Sequence, residues 1–383
     1  MLKKLSAFFA AAILGFCFCA DIYALPNESI QTERPALSVS AKSAILINAE
    51  DGSVYYEKNP DERMGMASTT KLMTALVASE RLDPNKTLTV PPEAVGIEGS
   101  SIYLTEGERI TVLELLYALL LSSANDASVA LAIECAGSVE DFCALMNEKA
   151  KKMGLVDTNF TNPHGLFDEN HYTTARELAV IGRYALQNEL ISKIVSTKKA
   201  YISHDGEADA RLLVNHNKLL DRYDGAIGMK TGFTKKTGRS LVSAARRDGL
   251  TLIAVTLDAP SDWSDHTAML DFGFDSYEKS ELFGAGEFFA DIPLSDGYTQ
   301  SVKVVNTSPL SLTLPKGYKD ISVRIEGYCR FLTAPIKEGD PFGQVVIRAD
   351  GKECSSLLVV AESASGKTKI KRNIFKKIAD LFR

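Results

Sequence analysis

The sequence has few of the residues that build metal centres, and it has no long hydrophobic run. It contains five histidines and six cysteines in 383 residues, and none of the cysteines pairs with histidines at a spacing typical of zinc ligands. Its main apolar runs, residues 5–20 and 115–121, are shorter than the ~20 residues that a membrane-spanning helix needs. The composition therefore predicts no metal site, and it is ordinary for a globular protein.

The N-terminal segment has the organisation of a secretory signal peptide. Lys3 and Lys4 precede the first apolar run, and small residues stand at Ala20 and Ala24. An uncleaved anchor is the alternative, but the run is too short for a span. We expect residues 1–24 to be removed on export and residues 25–40 to form a polar lead-in.

Four cysteines remain after this segment, at positions 135, 143, 329 and 354. They are too few and too scattered for a disulfide scaffold. We expect buried thiols, or a single disulfide bond.

Charge is distributed unevenly along the chain. The formal net charge is -6, but residues 367–383 hold seven Lys or Arg and one Asp, so the rest of the chain carries about -12. Such an acidic body disfavours nucleic-acid binding.

The order of helix and strand patterns predicts two domains. Two β-rich runs around Asp51-Gly52 have the pattern of a hairpin, helical patterns dominate residues 68–189, and strand patterns return at 225–258. This order predicts an α/β domain over residues 41–276 whose sheet is assembled from both ends of the segment. Regularly spaced short strand patterns then predict a small all-β domain over 277–364.

Three short motifs contain candidate catalytic residues. In the first, Ser68 precedes Lys71 by three residues at the start of an apolar helical run, so the two side chains share a helix face and can touch. In the second, Ser123 and Asn125 lie between two helical stretches. Each motif alone also fits a helix cap with solvated polar side chains.

The third motif, Lys-Thr-Gly, occurs twice. The first copy, Lys230-Thr231-Gly232, belongs to a strand pattern over residues 226–233 that places Ile227, Met229 and Phe233 on one face. The other face carries Lys230 between Gly228 and Gly232, and we expect these glycines to leave exposed backbone for an extended peptide.

The second copy of the motif begins at Lys236. It falls in a turn between two strands, where Gly238 suits a positive φ and the lysines project into water. We therefore expect Lys230 to be at the site and Lys236 to be in the hairpin.

Ser-x-x-Lys, Ser-x-Asn and Lys-Thr-Gly in this order are much more specific together than apart. With them, the chain resembles the low-molecular-mass penicillin-binding proteins that are serine-type D-alanyl-D-alanine carboxypeptidases. The resemblance covers nearly all of the exported chain, including residues 161–186, the β-rich C-terminal domain and the basic amphipathic end. It implies an α/β catalytic domain of the penicillin-binding protein and serine β-lactamase type, with helices around an antiparallel sheet, followed by a small all-β domain.

The resemblance also implies roles for single residues and a substrate. The substrate class is a muropeptide ending in D-Ala-D-Ala, β-lactams are inhibitors, and no metal or cofactor is required. It implies that Ser68 is the nucleophile, Lys71 its base and Ser123 the residue that transfers a proton. Asn125 would position Lys71 and the substrate, and Lys230 and Thr231 would recognise the substrate carboxylate. Gly232 would belong to the substrate-binding strand, and the N–H groups of Ser68 and Phe233 would donate to the oxyanion.

One stretch departs from the family pattern. Members often carry a basic residue in the part aligned with residues 259–270, where only His266 could be cationic. This departure predicts that carboxylate recognition depends more heavily on Lys230.

Two other functions remain open at this stage. A class A β-lactamase deacylates with a dedicated glutamate, and Asp168 and Glu169 offer acids in a loop. A non-catalytic penicillin-binding sensor or scaffold is the other alternative. The appended β domain and the basic tail favour the carboxypeptidase over the β-lactamase.

Residues 365–383 have the pattern of a linker and a basic amphipathic helix. The apolar side chains recur at helical spacing, at Ile370, Ile374, Phe375, Ile378, Leu381 and Phe382. Such a helix is too charged to span a bilayer but can lie on an anionic surface. We expect an exported protein held peripherally at the outer face of the cytoplasmic membrane, and the alternative is a helix packed on the β domain.

Overall fold

The computed structural model describes residues 18–24, 37–204, 207–287, 289–295, 299–318, 321–327, 332–349 and 352–362. The chain divides into two compact units. One unit is Arg34–Tyr277, and the other comprises Met1–Glu33 with Glu278–Arg383. The first described strand, β1 (Phe18–Ala24), belongs to the second unit.

The unit Arg34–Tyr277 contains helices around an antiparallel sheet, as predicted. Its strands are β2 (Ser43–Asn48), β3 (Val54–Lys58), β4 (Thr87–Thr89), β5 (Arg109–Thr111), β6 (Lys199–His204), β7 (Glu207–Val214), β8 (Ala226–Thr234), β9 (Gly238–Arg247) and β10 (Leu250–Leu257). Its helices are α1 (Lys71–Arg81), α2 (Val112–Leu121), α3 (Asn125–Ala136), α4 (Val139–Lys152), α5 (Ala175–Gln187), α6 (Glu189–Val195), α7 (Leu219–Arg222) and α8 (Asp262–Ser276). Two short 3-10 helices span Ala67–Thr70 and Pro92–Ala94.

The central sheet is assembled from both ends of this unit, which confirms the prediction. Its strand order is β3-β2-β10-β9-β8, and all neighbours are antiparallel. Alternate residues of β10 contribute to two hydrophobic cores: Ile253 and Val255 pack in the core that contains α1 to α6, whereas Leu252 and Ala254 pack in the core that contains α8. Because β8 is an edge strand of this sheet, it is available to the site described below.

The hairpin of β6 and β7 was not predicted from the sequence. Its two strands form a sheet of their own within the part of the chain that the structure describes. Arg211 of β7 holds the hairpin against the loop before β5, since its guanidinium forms a two-nitrogen ion pair with the buried Glu108. A contact between residues about one hundred positions apart leaves no local signal in the sequence.

The second unit is all-β, as predicted. Its strands after β1 are β11 (Tyr277–Phe283), which begins at the last residue of the first unit, β12 (Phe289–Ser295), β13 (Ser301–Asn306), β14 (Leu310–Pro315), β15 (Ile321–Gly327), β16 (Leu332–Thr333), β17 (Pro341–Ala349) and β18 (Lys352–Ala361). Together with β1, six of these strands form a seven-stranded sheet in the order β1-β15-β17-β18-β13-β12-β16, and β11 pairs with β14. Val304, Val345 and Val359 are fully buried in its core.

Several sequence predictions concern the chain termini. The predicted signal peptide, residues 1–24, overlaps β1, which pairs with β15, and residues 1–17 lie outside the described part. Its removal would leave β15 as the sheet edge. Most of the predicted lead-in and all of residues 365–383 also lie outside the described residues. Within the described part of the chain, no helix is both long and apolar enough to cross a bilayer.

Two of the four cysteines have described side chains. Cys143 is buried, Cys135 is partly buried, and both are free thiols. Burial raises the pKa of the Cys143 thiol to about 11. Cys143 therefore fits the prediction of a buried thiol, whereas Cys135 is only partly buried.

Candidate active site

Ser68 and Lys71 lie at the junction of a 3-10 helix and α1. The 3-10 turn Ala67–Thr70 contains Ser68, and Lys71 is the first residue of α1. Lys71 Nζ is 3.0 Å from Ser68 Oγ. The contact expected from the three-residue spacing is therefore confirmed.

The surroundings of the Lys71 amine fit its neutral form. Nζ is 2.7 Å from Asn125 Oδ1 and 2.6 Å from the carbonyl oxygen of His164, and both of these atoms can only accept hydrogen bonds. A neutral amine has two N–H groups for these acceptors and one lone pair left. That lone pair then faces the remaining neighbour, the Ser68 hydroxyl.

Electrostatics also favour the neutral amine. Lys71 is fully buried, and burial holds its pKa well below the usual value, with the charge of Lys230 adding to the effect and Asp126 opposing it. Burial lowers the pKa of Lys230 to about 7. The site therefore contains two buried amines whose charges disfavour each other.

Ser123 lies in the connection between α2 and α3, and Asn125 is the first residue of α3, so both stand at the predicted helix junction. Asn125 Nδ2 donates to the Glu98 carbonyl at 2.6 Å, which fixes the amide so that its oxygen faces Lys71. Ser123 has a left-handed φ of 60° and accepts a hydrogen bond from Lys230 Nζ at 3.1 Å. Neither side chain caps α3, because its N-cap residue is Ala124 and has no side-chain cap bond.

The two Lys-Thr-Gly copies occupy different environments. Lys230 lies on β8, is 1% exposed, and donates to Ser123 Oγ and to the Thr231 carbonyl. Lys236 lies in the turn between β8 and β9, is exposed, and stands 5.8 Å from the ring centre of Phe167. Gly238 has a φ of 70°. The predicted strand and turn placements are confirmed.

The glycines of β8 do not have the predicted role. Both are buried: a Cβ on Gly228 would lie 2.1 Å from the Val195 carbonyl oxygen, and one on Gly232 would lie 3.0 Å from Ser68 N. The expectation of exposed glycine backbone is therefore wrong for Gly228, whereas Gly232 is buried against the Ser68 turn but still lines the cleft described below. These glycines instead allow β8 to approach α6 and the Ser68 turn closely.

The predicted alternation of side chains along β8 is also wrong at Phe233. Met229 is fully buried, but Phe233, expected on the same face, is 62% exposed. Met229 has a φ of 91°, and the pairing with β9 shifts register between Ala226 and Gly228. These irregularities break the two-residue period of a regular strand.

Five of the eight predicted site residues line one cleft of about 570 Å³, whereas Lys71, Asn125 and Lys230 are buried and do not line it. The cleft is lined by Ser68, Ser100, Ser123, Val214, Asn215, His216, Lys218, Thr231, Gly232, Phe233, Arg239, Asp262 and Trp263. Arg239 was missed by the sequence analysis, although it directly follows the second Lys-Thr-Gly copy. A basic residue at a strand start has no local feature that indicates a site.

His266, the only cation expected from residues 259–270, cannot reach this cleft. It is fully buried, with its ring between the hydroxyls of Ser243 and Thr256, and burial lowers its pKa to about 3. His266 is therefore neutral at ordinary pH and packs α8 on the sheet.

A backbone carbonyl completes the surroundings of Lys71. The Asn162 side chain binds the N–H groups of His164 and Gly165 and the carbonyl of Leu166, and this turn directs the His164 carbonyl to Lys71. The His164 ring accepts from Leu166 N, and burial lowers its pKa to about 3. The His164 ring therefore has a structural role in this loop, whereas no side-chain pattern in the sequence could have indicated the role of its carbonyl.

Comparison with known proteins identifies the family. Residues 29–261 match the S11 peptidase family, described as D-alanyl-D-alanine carboxypeptidase, and residues 277–367 match the C-terminal domain of penicillin-binding protein 5. The chain belongs to the D-alanyl-D-alanine carboxypeptidase family. The resemblance inferred from the three motifs is thereby confirmed.

Individual relatives cover almost the whole chain. D-alanyl-D-alanine carboxypeptidase DacF of Bacillus subtilis is 33% identical over 371 residues, 94% of each chain. DacA of Haemophilus influenzae is 30% identical over 90% of each chain. The crystal structure of penicillin binding protein 5 from Haemophilus influenzae superposes with a TM-score of 0.73 and 30% identity, over 88% of this chain and 100% of that one. The predicted fold class and function class are confirmed.

Gly165 of this carboxypeptidase should not tolerate a side chain. A Cβ there would lie 1.9 Å from the Ala67 carbonyl oxygen, so Gly165→Ala must push the loop away from the Ser68 turn and carry the His164 carbonyl away from Lys71. We expect a loss of about 3 kcal/mol or more in the free energy of unfolding, measured by denaturant titration. D-Ala release should fall as well.

Gly154→Ala is the matched control for this prediction. Its φ of 79° is close to the 87° of Gly165, but a Cβ there has no atom within 4 Å. It should show only the backbone cost of roughly 1 kcal/mol. Equal losses in the two variants would mean that the contact with Ala67 is unimportant.

Proposed function

We propose that this protein removes the terminal D-Ala from peptidoglycan stem peptides by a serine acyl-enzyme mechanism, with Ser68 as the nucleophile. The observation that carries the proposal is the Lys71 amine, whose two fixed acceptors leave its lone pair for the Ser68 hydroxyl. A serine hydroxyl needs such a proton acceptor to become an effective nucleophile. Family membership supports the same assignment.

Acylation breaks the amide bond between the two D-Ala residues. Ser68 Oγ loses its proton to Lys71 Nζ and bonds to the carbonyl carbon, and the amine of the last D-Ala must gain a proton as it leaves. Ser123 suits this transfer, because Lys230 donates to the Ser123 oxygen and the hydroxyl proton of Ser123 therefore remains available. The proton that Lys71 takes from Ser68 balances the proton that Ser123 delivers to the leaving amine.

The oxyanion needs donors that are already in place. The Ser68 N–H belongs to the first turn of a helix, where N–H groups lack an intrahelical acceptor. Gly232 brings β8 against this N–H, and Phe233 follows it on the same strand. We assign the oxyanion to the N–H groups of Ser68 and Phe233.

Deacylation distinguishes this proposal from a β-lactamase. The loop that carries Asp168 and Glu169 contacts Ser68 and Lys71 through the His164 carbonyl oxygen. A carbonyl oxygen cannot accept a proton at neutral pH, so it cannot act as the base for deacylation. Both acids are exposed, and Asp168 accepts from Asn170 N within its own turn. The loop therefore supports slow loss of a penicilloyl group.

D-Ala release and penicillin labelling should be measured on the same preparation. We expect release of D-Ala from a pentapeptide, while the penicilloyl adduct persists for minutes or longer in a mass-spectrometric time course. The double variant Asp168→Ala/Glu169→Ala should keep the adduct equally long-lived. Rapid penicillin turnover without D-Ala release would favour the β-lactamase, and a stable adduct without any release would favour a non-catalytic scaffold.

We further propose that residues 367–383 hold the protein at an anionic membrane surface. The segment has a net charge of +6 and an apolar stripe at helical spacing, and both features favour adsorption to anionic lipid. The sequence Ser-Ala-Ser-Gly-Lys before it resembles a flexible linker. The opposing hypothesis is a helix packed on the protein's own β domain.

Truncation after Ser365 separates these two hypotheses. The shortened protein should no longer sediment with anionic vesicles, because both the charge and the apolar stripe are gone. Its cleavage of a soluble D-Ala-D-Ala peptide should stay within a few fold of the full-length value. Undiminished vesicle binding, or unfolding on truncation, would exclude the tail as the anchor.

A further inference from the structure

Arg239 and Asp262 form an ion pair at the cleft that contains Ser68. Arg239 Nε is 3.0 Å from Asp262 Oδ2. The Arg239 side chain is 42% exposed, whereas that of Asp262 is only 4% exposed. Both residues line the cleft, and the guanidinium is much more exposed there than its counterion.

The strand register places Arg239 beside the substrate-binding strand. Arg239 pairs with Phe233 in the β8–β9 register, so its side chain is on the same sheet face as that of Thr231, two residues earlier on β8. Such diagonal neighbours are roughly 7–8 Å apart at their Cα atoms, within reach of a long side chain. A group bound at Thr231 is therefore accessible to the guanidinium.

Asp262 fixes the orientation of this guanidinium. It lies in the first turn of α8, and its Oδ1 accepts from Trp263 N, so the carboxylate is itself held in place. The ion pair occupies the Nε edge of Arg239. Among the described residues, no acceptor binds the two terminal nitrogens, which together match the two oxygens of a carboxylate.

The other cationic candidates of the cleft are less suited to this task. Lys230 is buried and donates to Ser123 and to its own strand, and burial lowers its pKa to about 7. Loss of hydration and the charge of Lys230 lower the pKa of His216. Lys218 also lines the cleft, but it is exposed and has a flexible, strongly hydrated ammonium.

We propose that Arg239, oriented by Asp262, binds the terminal carboxylate of the substrate together with Thr231 and so restricts the enzyme to peptides with a free C-terminus. In this protein the cation thus comes from β9, since His266 of α8 is buried away from the cleft. The inference rests on the proposed site at Ser68. Arg239 is a specificity residue in this scheme and does not take part in proton transfer.

The test compares two peptides that differ only at the C-terminus, one with a free carboxylate and one with an amide. Wild-type enzyme should prefer the acid in kcat/KM. Arg239→Gln should reduce that preference at least tenfold, by slowing the acid and leaving the amide nearly unchanged. Arg239→Lys should keep part of the preference, and Asp262→Asn should lower it because the guanidinium loses its orientation.

Two further variants control for a loss of activity that is caused by unfolding. Arg239→Gln leaves Asp262 buried without its partner, so the double variant Arg239→Gln/Asp262→Asn removes both charges together. It should lose the preference while keeping a wild-type melting temperature. Arg246→Ala is the matched control, because Arg246 lies on the same strand and binds the Thr251 hydroxyl in an exposed position. It should leave both peptides unaffected.

A penicillin pair tests Arg239 even without peptidase activity. Acylation by benzylpenicillin, which carries a carboxylate, is compared with acylation by its methyl ester. Arg239→Gln should slow only the former. The inference is overturned if the variant slows both compounds equally, or if Lys218→Ala abolishes the preference instead. Wild-type protein that acylates but releases no D-Ala would refute the proposed function alone.

Discussion

Ser68→Ala should abolish covalent labelling by penicillin and lower kcat/KM for D-Ala release by at least ~10³-fold, about 4 kcal/mol of transition-state stabilisation. The reason is geometric: among the described residues, the Ser68 hydroxyl is the neighbour left for the Lys71 lone pair once Asn125 and His164 have taken the two N–H groups. An alanine leaves the amine with no proton to accept. Mass spectrometry of penicillin-treated wild-type protein should place the adduct on the peptide that contains Ser68.

Ser79→Ala provides the matched control. Ser79 is on α1, which follows the Ser68 turn directly, and its hydroxyl donates to the Leu76 carbonyl outside the residues that line the cleft. This variant should label at the wild-type rate, and both variants should have unchanged circular dichroism. An adduct on the peptide that contains Ser123, or labelling that survives in folded Ser68→Ala, would contradict the assignment of the nucleophile.

The second large effect is expected from the first Lys-Thr-Gly copy. Lys230→Ala removes the donor to Ser123 Oγ and the cation beside Lys71, so kcat/KM should fall at least tenfold, about 1.4 kcal/mol. Lys236→Ala removes only an exposed cation near the Phe167 ring and should be nearly silent. Equal losses in the two variants would refute the assignment of Lys230 to the site.

The pH profile of Lys230→Ala gives a second readout. Lys71 accepts a proton only when neutral, so kcat/KM should fall as the pH drops through the pKa of Lys71. The positive charge on Lys230 helps to lower that pKa. Removing this charge should therefore shift the acid limb of the profile to higher pH, whereas Lys236→Ala should leave it in place.

Local patterns were sufficient to predict much of the fold. The Asp51-Gly52 hairpin, the helices after Ser68 and the returning strands each have a periodicity that arises from contacts between near neighbours. The order of these elements then predicted the mixed origin of the central sheet, which β10 confirms by pairing with β2. The β6–β7 hairpin was not predicted, because Arg211 and Glu108, whose ion pair holds it against the loop before β5, are far apart in the sequence.

Close contacts between distant segments of the chain also could not be predicted from the sequence. The glycines of β8 matched a strand with accessible backbone, but only the positions of Val195 and Ser68 show that both are packed against other elements. His266 had the right chemistry for a cation, yet two hydroxyls and full burial keep it neutral. In each case the residue type was correct and its neighbours decided the outcome.

By itself, the sequence determined the three polar motifs, their order and the type of element that carries each, and the spacing within a helix turn placed Ser68 and Lys71 in contact. The tertiary structure alone decided how these motifs meet. Burial of Lys71 and Lys230 sets their protonation, the His164 carbonyl fills the third contact of Lys71, and β9 brings Arg239 to the cleft. These properties depend on distance through space and on exclusion of water, and neither quantity is encoded in the spacing of residues along the chain.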